Sequence, residues 1–498
     1  MALNHARLPV PPPRLWSKTI KQKIKKVNIF FLKFSKDLLY SLYRRSSEIL
    51  RFAQGQACFA LKSAEQALLL HRILFCINPC EINNGREWRM RKENDIVIIG
   101  GGIIGGSVLF NLLNDGFKGK IAVFEKKDAL ADESTALSAG GFRNIWSTVV
   151  NMKLTSYSIE KFKHFKEDTG ASIGFEQRGY LFTYYKKEWE RIVDFKKFWE
   201  NSGVRTELLS PADIEEMIPG LKADVNHLDK DIVEMLALEE IVGGLFGPDC
   251  GIFNPTACAI AYFESSQENF PESVEINKKN EVKKLSIKDG KVKGFFLEND
   301  EFIAAEKIIL AAGAFSQDLL ERSEIPEEQN IPVVPVKRML FLVNKPPIEG
   351  FEKIPMVIID NHVYFHPEAD DLLVGRAKPD QKPGYDYDME KNYYIDEMNT
   401  YMQARIPGME YCRIKNGWGG LYAVNTKDKN AILGEHPDIS NLFLATGFSG
   451  HGVMEAPAVG KCISEKILKG NYISIPEAES LEFTRFREGK LVKETIVI

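Results

Sequence analysis

Gly100, Gly102 and Gly105 stand at the spacing G-x-G-x-x-G, and Glu125 follows twenty residues after the last of them. This combination captures a dinucleotide. The first glycine permits a tight turn, the second lets a pyrophosphate approach the backbone, and the third lets a helix pack closely on a strand. Unpaired N–H groups at the start of that helix face the phosphates. A carboxylate at the distance of Glu125 accepts hydrogen bonds from ribose hydroxyls. Three further clusters have the small residues that let backbone approach a flat ligand. These are Ala139-Gly140-Gly141-Phe142-Arg143, Ala311-Ala312-Gly313, and residues 447–452 around His451. Arg143, alone in its loop, has the chemistry to neutralise a phosphate or hold a ring oxygen.

The elements that must position these residues are legible around them. Residues 96–99 form a continuous apolar run, as in a strand buried on both faces, and Val108, Leu109, Leu112 and Leu113 then recur at helical spacing. Gly116 stops the helix, and residues 121–124 make a second buried strand that ends in Glu125. The βαβ unit is complete, and by itself it does not distinguish NAD from FAD. Further on, the pattern predicts a helix over 152–168, a strand over 178–184, and helices between 187 and 243 with a start at Pro211. Asp289-Gly290 marks a hairpin within 281–304, and 308–310 is a buried strand. Between 328 and 425 the runs VVPVKRMLFLV, MVIID, HVYFH and LLVG predict an antiparallel sheet inserted between parts of the first domain. A strand over 442–445, a glycine-rich loop and a helix stopped by Gly470 complete the series.

Composition sets the limits. With 498 residues, 44% hydrophobic and 27% charged, the chain has the balance of a soluble protein of two or three domains, and a net charge of -4 argues against a nucleic-acid partner. Seven scattered cysteines suggest a reducing compartment; Cys76 and Cys80 lack the second pair that a zinc site needs and read as free thiols. No metal site is expected. Residues 1–90 differ from the rest, with about three Lys or Arg for each Asp or Glu. They read as a poorly ordered extension. Met90 is a natural start for the domain that follows, which points to a cytoplasmic protein; a mitochondrial matrix location follows instead if the extension is an import signal, and a membrane-surface helix is a third reading.

Four pieces now stand in order: GGGIIG with Glu125, the AGGFR loop, IILAAGAFS, and LFLATGFSGHG before a helix, with FTRF at 483–486. Together they resemble the D-amino-acid oxidase and sarcosine oxidase (DAO) superfamily of FAD-dependent oxidoreductases, over residues 93–498. The resemblance implies an α/β fold. A Rossmann-like, glutathione-reductase-like FAD-binding domain over 93–172, 245–327 and 426–498 is interleaved with a substrate domain over 173–244 and 328–425, built on a mainly antiparallel sheet. It further implies FAD on Gly100, Gly102, Ile103, Ile104, Gly105, Glu125, Lys126, Ser138, Ala139, Gly140, Arg143, Val282, Ala312, Gly313, Gly447, Phe448, Gly450, His451, Gly452 and Val453. Val282 reads the adenine edge, residues 447–452 meet the pyrimidine end of the flavin, and Arg143 lies beside the ring.

The same likeness implies oxidation of the carbon next to an amine by hydride transfer to flavin N5, with an amino acid or related acid as the small-molecule substrate. Leu421 stands where monomeric sarcosine oxidases carry the flavin-linking cysteine, and no histidine lies between 125 and 150, so the flavin is expected to be noncovalent. Trp146 and Met454 replace substrate-binding basic residues, which argues against sarcosine. Leu373 replaces an oxygen-activating lysine, which favours a dehydrogenase over an oxidase; the electron acceptor, whether oxygen, quinone or an electron-transfer protein, stays open. His451 is expected to tune the ring, and Arg338, His366 and Arg376 are the candidates to meet an acidic substrate from strands of the second sheet. The alternatives are a 2-hydroxy acid dehydrogenase of the same fold and an FAD-bound assembly factor for a respiratory complex.

Overall fold

A computed structural model of the chain describes residues 94–496; the extension over 1–90, with Cys76 and Cys80, lies outside them. The βαβ unit forms as β1 (Asn94–Ile99), α1 (Ile103–Asn114) and β2 (Ile121–Glu125). Both strands are almost wholly buried, which their unbroken apolar runs require. After β3 (Gly141–Phe142) comes α2 (Val149–Lys163), shorter than expected because a second short helix, Phe165–Thr169, follows a break at His164.

The chain continues through β4 (Tyr180–Tyr184), α3 (Lys186–Asn201), β5 (Glu207–Leu209), a short helix begun by Pro211, β6 (Gly243–Gly247) and β7 (Gly251–Ile252). Then follow α4 (Pro255–Asn269), β8 (Val274–Lys278), β9 (Val282–Lys288), β10 (Lys291–Leu297) and β11 (Phe302–Leu310). The expected hairpin joins β9 to β10, with Asp289 at φ 54° and Gly290 at φ 67°, the two left-handed residues of a tight turn.

The inserted segment supplies β12 (Val333–Asn344), β13 (Met356–Ile358), β14 (Tyr364–Glu368), β15 (Asp371–Arg376) and β16 (Ile414–Asn425). The chain ends its described course with β17 (Ile432–Glu435), β18 (Leu442–Thr446) and α5 (Gly452–Lys469), whose stop at Gly470 has φ 80°.

Two eight-stranded sheets result. In the first, β1 lies between β2 and β11; β8 extends it beside β2 and β18 beside β11, all parallel, with β17 as an antiparallel edge and the β9–β10 hairpin attached to β11. The second runs β16-β12-β15-β14-β13-β4-β6-β5 and is antiparallel except where β13 meets β4. β5, β6 and β16 were not read from the sequence. The glycines of GGLFG and GWGG hide their strand character, and Gly243–Gly247 carries the second sheet a few residues past the boundary at 245.

Close packing fixes the first sheet's helices. A Cβ on Gly105 would lie 2.1 Å from the Gly100 carbonyl oxygen, and one on Gly460 of α5 would lie 2.2 Å from Ser107 Oγ of α1. Ser107 Oγ donates to the Ala456 carbonyl, and Asp115 at the end of α1 accepts from Lys461 and Ser464 of α5. These contacts aim the first turn of α5 back toward the glycine loop.

Candidate active site

At the carboxyl ends of β1, β2 and β11 the backbone opens a groove, the place where a parallel α/β sheet takes ligands. Gly100 turns the chain at φ 117° with its α-carbon pressed against the Ala311 carbonyl; a Cβ there would sit 2.3 Å from that oxygen. Gly102 is open on the groove side, where a Cβ would meet only Thr135 Oγ1. Glu125 turns one carboxylate oxygen to the Gly101 N–H at 2.8 Å and the other to the Lys127 N–H at 2.7 Å, which fixes the acid at the groove wall. Lys126 lies over the Phe315 ring. Gly100, Gly102, Ile103, Ile104, Glu125, Lys126, Val282, Ala312 and Gly313 all line this groove. Gly105 lies beneath it as packing.

The groove continues into a second cavity. Ser138, Tyr422, Gly450 and Val453 line both, and Phe448 and Gly452 line the groove side. Beyond this junction the walls are Ala139, Gly140, Gly141, Arg143, Trp146, Tyr180, Met356, Tyr364, His451 and Met454. The loop that ends in α5 is held by both sheets. Ser449 donates its N–H to the Ala423 carbonyl and accepts from the Asn425 N–H, and Thr446 Oγ1 donates to the Gly313 carbonyl. Gly447, Ser449 and Gly450 all have positive φ. Gly447, expected at the flavin, does not reach the cavity: its α-carbon packs toward Val333 and Ile432, because the turn places it behind Phe448.

The structure brings together only part of the substrate set expected from sequence. Arg143 and His451 line the second cavity. Arg338 lines a side chamber with Leu137, Ser138, Tyr364, Gly420 and Tyr422; its guanidinium lies 5.1 Å from the centre of the Tyr422 ring, and its Nε is buried without a partner. His366 shares the sheet face of Tyr364 but stands behind the cavity wall. Its Nδ1 lies 2.9 Å from the Pro367 carbonyl and its Nε2 3.1 Å from that of Ala139, so it braces the 138–141 loop. Burial pushes its pKa below the usual histidine value. Arg376 is on the opposite face of the sheet, since it pairs across the strands with Met339, one residue from Arg338. There it binds Glu397 at 2.9 Å and the Asn361 carbonyl. Leu373 is buried and lines neither cavity.

Three tyrosines that sequence reading missed complete the cavity, each packed against a glycine. A Cβ on Gly141 would collide with the Tyr180 hydroxyl, one on Gly375 with the Tyr364 ring, and one on Gly450 with the Tyr422 ring. Burial raises all three pKa values, so their hydroxyls stay protonated as hydrogen-bond donors. Their only sequence signal is the period-2 pattern of RGYLFTY, HVYFH and GLYAVN, in which tyrosine looks like any strand residue.

Arg143 is 3% exposed. Its guanidinium lies 3.6 Å from the centre of the Trp146 ring and donates to the carbonyls of Ile145 and Ile496. Burial lowers its pKa, opposed by Tyr180 and Glu494. Segment 494–496 is anchored in turn by Glu494, which accepts from Ser147, Thr148, Asn151 and the Ile496 N–H. Burial works to raise the Glu494 pKa, but the hydrogen bonds from Ser147 and Ile496 and the charge of Arg143 outweigh it and hold the pKa below its usual value. A carboxylate pKa lowered by folding adds stability above its unfolded value, and that stability is lost as pH falls through the folded one. Acidification below about pH 4 is therefore expected to release segment 494–496 first, seen as faster amide exchange there, and Glu494→Gln removes this pH dependence.

The described residues contain no helix long and apolar enough to cross a membrane. The family described as FAD dependent oxidoreductase (DAO) matches residues 95–466. The chain is 27% identical to FAD-dependent oxidoreductase domain-containing protein 1 of Bos taurus, over 82% of this chain and 87% of that protein. It is 23% identical to the 4-methylaminobutanoate oxidase (formaldehyde-forming) of Paenarthrobacter nicotinovorans, over 75% of this chain and 43% of that one. Among solved structures, L-proline dehydrogenase from P. horikoshii superposes with a TM-score of 0.69 at 27% identity, covering 80% of this chain and all of that one. The glycine turn against Ala311, the fixed Glu125 and the groove that runs on into a tyrosine-lined cavity fit FAD. With the family match over 95–466, they establish that the chain belongs to the DAO family of FAD-dependent oxidoreductases.

Proposed function

We propose that this oxidoreductase acts on the carbon next to the amine of an amino acid, holding its FAD noncovalently. The observation that carries the reading is the second cavity itself. A buried cation, Arg143, and three protonated tyrosines line it together with the apolar side chains of Trp146, Met356 and Met454. That lining suits a small molecule with a carboxylate at one end and an oxidisable C–H beside nitrogen at the other. The names of similar proteins, an oxidase of a methylamino acid and a proline dehydrogenase, support the same class.

In this reading residues 100–104 and Glu125 hold the ADP half, Val282 meets the adenine, and Ser138 to Arg143 with residues 448–453 hold the flavin. The interleaved division read from sequence, with one domain on each sheet, puts the flavin ring where the two sheets share the junction residues. Bound FAD supplies the hydride acceptor. The chain's own residues orient the substrate, exclude water and handle the amine proton. Leu421 on the groove wall and the absence of cysteine from both cavity linings support a noncovalent flavin.

Arg338 is placed to attract the substrate's acidic end through the side chamber. Arg338→Met is expected to raise KM for acidic amines about tenfold while changing kcat by less than about threefold. Equal losses in both parameters would assign it to the chemical step. The proposal is tested by anaerobic bleaching of the flavin with N-methyl amino acids, L-proline, D-amino acids and 2-hydroxy acids. Bleaching by amines supports it. Bleaching by hydroxy acids alone replaces it with the hydroxy-acid reading, and retained FAD with no turnover favours an assembly role. Oxygen uptake measured beside dye reduction separates an oxidase from a dehydrogenase.

A further inference from the structure

Glu455 lies in the first turn of α5 and is wholly buried, yet neither of its carboxylate oxygens has a hydrogen-bond partner. Its nearest charge complement is His451, whose Nδ1 is 3.5 Å from Glu455 Oε1. His451 lines the second cavity with its edge set against Trp146, at 4.8 Å between ring centres, and neither of its ring nitrogens has a hydrogen-bond partner. An isolated buried carboxylate is costly, and a Leu or Met at 455 would fill the space without that cost. The start of α5 repays part of it, because the positive end of the helix favours an anion there.

The neighbours leave this pair to each other. Ser107 of α1 donates to the Ala456 carbonyl, Ser158 of α2 accepts from the Ala458 N–H, Asn151 donates to Asn430, and Thr155 accepts from Trp146. The Arg143 cation, which like His451 packs on Trp146, and the protonated Tyr180, Tyr364 and Tyr422 line the same cavity. Glu494 is committed to Ser147 and Thr148, and Cys462, two turns beyond on α5, is held as a neutral thiol by burial.

We propose that His451 takes the ammonium proton of a zwitterionic amino-acid substrate, with Glu455 as the buried counter-charge that positions the imidazole. This rests on the amine reading and extends it. In the step, the N–H bond of the ammonium breaks and an N–H bond forms on Nε2 of His451, the nitrogen turned away from Glu455. The lone pair stays on the substrate nitrogen, and the positive charge moves to an imidazolium neutralised by Glu455. No oxidant is consumed. The substrate is left as the neutral amine, the form able to give up hydride from its neighbouring carbon. Arg143 in the same cavity and Arg338 in the side chamber are the cations left for the carboxylate end of the zwitterion, which favours amino acids over simple amines.

The test follows anaerobic flavin reduction by 4-methylaminobutanoate and by L-proline in the holoprotein and in Glu455→Gln, across the pH range in which the enzyme stays folded. Glu455→Gln is expected to be slower by about tenfold or more near neutral pH, and to recover toward the wild-type rate as pH approaches the amine's own pKa, because solvent then supplies the neutral form. Glu455→Gln and Glu455→Leu are expected to melt at or above the wild-type temperature. A loss of the same size at every pH, no loss, or a lowered melting temperature with a pH-independent loss would overturn the proton role while leaving amine oxidation standing. If neither amine bleaches the wild-type flavin, the amine reading and this proposal fall together.

Discussion

Gly450→Ala yields a folded protein that has lost most of its flavin. Gly450 has φ 104°, and a Cβ there would lie 2.1 Å from the Tyr422 ring. The substitution therefore imposes backbone strain and an overlap at once, at the junction that lines both the groove and the second cavity. Left-handed strain alone costs about 1–3 kcal/mol. Tyr422 relieves the overlap only by moving into space the flavin needs, since its ring is flanked by Arg338 and Tyr364 on the other side. FAD occupancy, read as flavin absorbance against protein absorbance, is expected to fall tenfold or more, with far-UV circular dichroism unchanged. Gly447→Ala is the matched control. It also carries a positive φ but faces Val333 and Ile432, so it is expected to cost stability and leave the flavin-to-protein ratio of the folded fraction intact.

Arg143→Met is expected to cut the rate of flavin reduction by about two to three orders of magnitude, the scale seen when one charged or hydrogen-bonding stabiliser is removed from a desolvated site. The side chain is buried against Trp146 and ties the cavity to segment 494–496 through the Ile496 carbonyl. Methionine fills similar space but removes the cation that faces the substrate, and it leaves the Ile145 and Ile496 carbonyls without their donor. Arg143→Lys restores charge but not the forked geometry that reaches both carbonyls, and is expected to recover only part of the rate. Faster exchange at 494–496 in Arg143→Met than in the wild type checks the structural half of this account.

What the sequence made legible was local. The glycine turn, Glu125, the hairpin at Asp289-Gly290 and the strand, loop and helix around residues 442–470 each lie within one short stretch, so spacing alone carries them. The cavity was harder because its walls come from segments far apart in the chain. Tyr180, Tyr364 and Tyr422 meet only after β4, β14 and β16 join one sheet, and nothing in their own strands marks them. The three basic candidates separated for a reason that sequence cannot supply, namely register. Arg338 and Arg376 sit on strands that pair directly, but Arg376 is opposite Met339, and that offset of one residue sends the two guanidinium groups to opposite faces. His366 is on the correct face and is consumed by two carbonyls. Glu455 reads in the sequence as an ordinary polar helix position and becomes informative only through its burial beside His451.

The most direct test of the central claim is single-turnover flavin reduction, without oxygen, by L-proline or an N-methyl amino acid that carries deuterium on the carbons attached to nitrogen. Bleaching of the flavin that deuterium slows severalfold is the predicted result, because the C–H bond beside the amine is the one that breaks. Bleaching by a 2-hydroxy acid with no response to any amine, or amine bleaching that deuterium leaves unchanged at every pH, would contradict it.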